Sequence, residues 1–103
     1  MTEAETRRQR LEATVRDEWG RRDSEGRVAS TLRPDGTVDL RVVSARFKTL
    51  DDRDREELFW PVFDSVPRED LIYMTYCLLL TPEEEALHFS PGISEVGEVQ
   101  EVG

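Results

Sequence analysis

The residues best suited to chemistry lie near one end of the chain. The stretch YMTYCLLLTPEEE, residues 73–85, holds the single cysteine, Cys77, and the single histidine, His88, follows it closely. A thiolate and an imidazole could together ligate a metal or form a nucleophile and its base. Zinc and iron–sulfur sites take several such ligands, however. Here there is one of each, eleven residues apart with a helix start between them, which makes no spaced motif. A cysteine inside an apolar run reads as a small buried hydrophobe. His88, after PEEEAL, reads as a residue near a helix end that could make a pH-sensitive contact. The carboxylate groups Asp51/Asp52, Glu56/Glu57 and Glu83 to Glu85 stand at helix starts, where acids complement the helix dipole. Acid–base catalysis would need two carboxylates in contrasting environments, and nothing in the spacing provides that. No catalytic residue and no cofactor are therefore expected, and Cys77 and His88 stay as the lesser ligand candidates.

The totals narrow the class. The 103 residues suit one domain, with 37% hydrophobic and 36% charged side chains and a net charge of -9. Nucleic-acid binding draws on Lys and Arg neutralising phosphates, so an acidic total argues against it. No apolar run reaches the length of a membrane span, and MTEAETRRQR has no apolar signal core. A cytoplasmic protein is expected, which agrees with a lone cysteine that cannot form an internal disulfide.

The elements that must position these residues can be read in order. Residues 2–22 predict a helix, with Thr2 and Glu5 as a capping box and Leu11, Val15 and Trp19 as an apolar stripe. Glu12 with Arg16 and Asp17 with Arg21 support its wet side. RVASTL and TVDLRVV predict a hairpin over 27–43, turning at RPDG. A second helix is predicted from about 51 to 65, started by Thr49 with Asp52 and broken or kinked at Pro61. LIYMTYCLLL, 71–80, reads as a strand with both faces covered. Thr81, Pro82 and Glu84 then start a short helix ending near His88. The result is an α+β fold in α-β-β-α-β-α order: a three-stranded mixed sheet with helices on one face. One domain is expected over 1–88, with 89–103 a disordered tail.

Residues 40–84 resemble the BolA-like family. LRVVSARFKTLDDRDREELFWPVFDSV is similar to that family's second strand, loop and helix. Val42, Val43, Ser44 and Phe47 match its VVS..F segment, and Trp60 falls where its helix carries a tyrosine. LIYMTYCLLLTPEE is similar to its third strand and last helix. The resemblance implies a fold like the class II KH domain and partnership with monothiol glutaredoxins around a shared [2Fe–2S] cluster. In the family one ligand is a histidine at the start of the third strand, and another comes from the first hairpin loop. Here Ile72 occupies the histidine position, RPDG has no His or Cys, and no Gly-x-x-Gly loop is present to grip a nucleic-acid backbone. Arg55 keeps one of the family's basic positions, while Glu56 and Glu57 follow it.

FWPVF, 59–63, is the other distinctive stretch. Leu58, Phe59, Val62 and Phe63 fill a core stripe, and Trp60 lies off it by about 100°. An exposed tryptophan suits an interface. The chain thus reads as a small acidic, non-enzymatic interaction or regulatory module. A protein partner, basic by charge complementarity, would dock on the second helix and adjoining strand around Trp60, Phe59 and Arg55. The runner-up is a BolA-like partner of a monothiol glutaredoxin, relying on Cys77 or His88. A nucleic-acid-binding regulator comes last, and a homodimer stays open.

Overall fold

Thr2 accepts the Glu5 N–H at 3.1 Å and so caps helix α1, Glu3–Gly20, the first element of a computed structural model that describes residues 2–89. Leu11, Val15 and Trp19 are its buried stripe. Its other side is a lattice of ion pairs, Arg8 with Glu5 and Glu12, Arg16 with Glu12, and Arg21 with Glu18 rather than the expected Asp17.

The hairpin forms as expected from β1, Arg27–Leu32, and β2, Val38–Val43, paired antiparallel with Val28 opposite Val42 and Leu32 opposite Val38. Its turn closes with the Gly36 N–H on the Arg33 carbonyl at 2.9 Å. Gly36 has a φ of 89°, a conformation that side chains rarely tolerate. After β2, Ser44 accepts the Arg46 N–H at 3.1 Å and starts a 3-10 turn, Ala45–Phe47. That turn drives Phe47 into the core, where it stacks on Trp19 at 5.6 Å. The segment VVS..F thus has a physical role: two valines close a strand, a serine caps a turn, and a phenylalanine anchors it.

Helix α2 spans Asp52–Phe59, and its cap is Asp51, which accepts the Asp54 N–H at 2.8 Å, instead of the expected Thr49. Asp51 is extended at the cap and its carboxylate reaches the third helical amide, the stronger electrostatic choice. Pro61 then breaks the helix as expected, and Trp60–Ser65 continues as a 3-10 stretch. Phe59, Val62 and Phe63 point inward, with Phe59 at 5.1 Å from Trp19 and 5.3 Å from Phe63.

A short helix α3, Arg68–Leu71, takes the place of the turn expected at PRED. It holds Asp70 fully buried, where two nitrogens of Arg10 meet its carboxylate at 2.5 and 2.7 Å. Strand β3, Met74–Leu80, follows, then α4, Pro82–Phe89, opened by a reciprocal Thr81–Glu84 box.

The sheet is three-stranded in the order β1-β2-β3, with β2 and β3 parallel because a helical crossover joins them. Leu40 lies opposite Cys77 and Val42 opposite Leu79, so these four side chains face the helices. The order and fold class are those expected. One expectation needs correction: β3 is not covered on both faces but is an edge strand, with Tyr76 and Thr75 exposed. Leu71 and Ile72 of the same apolar run precede it, Ile72 lying 70% exposed. The tail expected over 89–103 lies outside the described residues, apart from Phe89, which closes α4. No helix among the described residues is long and apolar enough to cross a membrane.

Candidate functional site

The free side of β3 is the floor of a groove of about 430 Å³. Asp52, Arg55 and Glu56 of α2 form one wall, and Glu84 and His88 of α4 contribute to its rim. The helix dipole favours acids in the first turn of each helix, so both walls bring carboxylates to the same edge.

Arg55 closes one end. It is 7% exposed, and one of its nitrogens meets a Glu84 oxygen at 2.7 Å and the Leu79 carbonyl at 2.9 Å. A second meets the other Glu84 oxygen at 3.1 Å, and Nε donates to the Leu50 carbonyl at 3.0 Å. This guanidinium therefore clasps α2, β3 and α4 together. Hydrogen bonds from Arg55, with help from the Thr81 backbone N–H, hold the Glu84 carboxyl at about 2. The box that starts α4 is thus also what orients Glu84 toward Arg55.

Cys77 and His88, eleven residues apart, line this same groove. Burial pushes the Cys77 thiol up to about 12, and the nearby Glu56 carboxylate adds to that. At neutral pH it is a thiol, a poor ligand and nucleophile. The described residues contain no group of three or more His, Cys, Asp or Glu placed to hold a metal ion. Ile72 offers no donor atom. The residues present do not fit an iron–sulfur cluster held by this chain alone.

The three expected partner-binding residues separate. Trp60 is 55% exposed, its ring edge-on to Phe63 at 5.1 Å. It borders a second hollow of about 300 Å³ with Arg53, Glu56 and Glu57. Glu56 belongs to both hollows and joins them. Phe59 is fully buried, so it supports Trp60's neighbourhood from beneath and offers no contact surface. Arg55 is spent on the clasp rather than standing at a rim. Tyr76 and Leu78 to Leu80 were not anticipated in a groove, and Glu84, expected only as an acid at a helix start, joins them there. The capping box signals Glu84's place in α4, but nothing local signals its pairing with a residue 29 positions earlier.

Searches of family models, curated proteins and solved structures return no match to this chain.

Proposed function

We propose that this chain is a small acidic, non-enzymatic interaction module that receives a basic protein partner on α2 and the β3 edge. The observation that supports this most is a strand edge without charge, left open between carboxylates by the described residues, with an exposed tryptophan one helical turn from Glu56. Edge strands are templates for pairing, and proteins usually cover or charge them. Tryptophan is enriched where binding energy concentrates. Net charge of -9 speeds encounter with a positively charged partner and repels nucleic acid. The test is a titration of isotope-labelled protein with a lysine-rich peptide at low and high salt. Shifts at Trp60 and along 76–80 that weaken with salt and are untouched by EDTA support the reading. Shifts spread evenly over the surface count against it.

A second reading keeps the BolA-like resemblance in its functional sense, a partner of a monothiol glutaredoxin in iron–sulfur handling. It is favoured by Cys77 and His88 lining one groove. Its test is visible circular dichroism after mixing with a cluster-loaded monothiol glutaredoxin. A new spectrum lost in Cys77→Ser or His88→Ala would support it; an unchanged one removes it.

A further inference from the structure

We propose that the groove takes an extended peptide bearing Lys or Arg as a fourth strand beside β3, with one basic side chain seated between Trp60 and Glu56. The inference rests on the reading of α2 and β3 as the docking face and adds how the partner is held.

The backbone of β3 carries the first part. The Leu80 carbonyl faces β2, accepting the Ser44 N–H at 2.9 Å, and the Leu79 carbonyl faces the opposite way, onto Arg55. Groups alternate along a strand, so Cys77 turns its N–H and C=O to the same open side as Leu79. A peptide laid there would find the N–H of Leu79 and both groups of Cys77, a set that strand addition uses for affinity. No side chain of β3 is charged, so none discourages that pairing.

Charge selects the occupant. Side chains projecting from such a peptide toward α2 meet Asp52 and Glu56, and the neighbouring hollow presents Trp60 with Glu56 and Glu57. A tryptophan face beside carboxylates suits an ammonium or guanidinium group. Arg53, which approaches Glu57 at 3.6 Å, is itself exposed and can be displaced from that acid. A second copy docked by two-fold symmetry would set this acidic groove against itself. Residues 90–103 carry three glutamates and no Lys or Arg, so they meet the same repulsion.

The experiment uses the full chain and an octapeptide of alternating lysine and valine. Two counterparts carry N-methyl groups on every lysine or on every valine, which leaves charge in place and removes one set of main-chain donors. Strand addition predicts at least a tenfold loss of affinity for one counterpart. It also predicts tenfold slower amide exchange at Cys77 and Leu79 with the parent peptide, and weaker binding by Glu56→Gln. If both counterparts bind like the parent and shift the Trp60 indole signal, strand addition is overturned while the docking face stands. If no peptide shifts Trp60 or Cys77, both ideas fail. If the two amides are already protected without peptide, the occupant is a second copy where mass doubles with concentration and residues 90–103 where it does not. Either result overturns the basic peptide.

Discussion

At the β1 edge, Arg16 of α1 donates to the Val28 carbonyl at 3.2 Å, and Arg8 and Glu12 both bond the Ser30 hydroxyl. At the β3 edge, among the described residues, only Arg55 bonds the backbone from a side chain, and only at Leu79. The same sheet thus has charged side chains bonded along one border, while along the other the described residues leave most of the strand unbonded and the charges stand off in the groove walls. Helix length explains much of this. The 18 residues of α1 extend ~27 Å, enough to follow the ~20 Å of β1. The eight residues of α2 reach only ~12 Å, against ~23 Å for β3, because Pro61 stops the helix. A single proline therefore determines how much of an edge stays open, and it also turns Trp60 outward beside that opening.

The strongest way to break this comparison is to remove the Arg55 anchor on β3. Arg55→Ala should cost about 2–3 kcal/mol in urea unfolding, since it strips a buried guanidinium from three carbonyl or carboxylate partners. Arg16→Ala on the β1 edge should cost no more than about 0.5 kcal/mol, its side chain being 56% exposed. Equal losses would show that the two borders do not differ energetically. Gly26→Ala, at the entry to β1, should cost about 1–3 kcal/mol because a new Cβ would sit 2.4 Å from Trp19 Nε1. That cost arises in the core and should leave amide exchange along β3 in rank order.

Acid sharpens the comparison further. Glu84 is lowered from an ordinary 4.5 to about 2, so its share of stability is whole above pH 4.5 and is lost as pH falls through about 2. Urea midpoints followed down in pH should show that loss in the wild type and a smaller one in Arg55→Ala, where Thr81 still bonds the carboxylate. The smallest effect on stability is expected for Trp60→Ala, within about 0.5 kcal/mol for a half-exposed side chain. The same substitution should lower affinity for a lysine-rich peptide about tenfold, measured by calorimetry. A large loss of stability instead would make Trp60 a structural residue.

Much of the fold was legible because its signals are local. The Thr2 and Thr81 caps, the Leu11–Val15–Trp19 stripe, the RPDG turn and the break at Pro61 all act within a few residues of themselves. What was not legible depends on distance. An apolar run such as 71–80 looks alike whether neighbours cover both faces or one edge lies open, and only the strand order decides. The Arg10–Asp70 pair spans 60 positions and the Arg55–Glu84 pair 29, so neither leaves a periodic trace. For the candidate groove, Trp60 could be picked out as off-stripe. Arg55 could be noticed but its burial could not, and Phe59 was drawn into the face only by its proximity to Trp60.

The two tryptophans occupy opposite environments: Trp19 is sealed, its indole N–H without a partner among the described residues, while Trp60 is half-exposed. Their light emission should differ accordingly, blue for the first and red for the second. Caesium ions added to the folded chain should quench only the red component, and unfolding should shift chiefly the blue one. The molecule thus carries two intrinsic optical reporters, one for the integrity of its interior and one for occupancy of its surface, and neither needs a label.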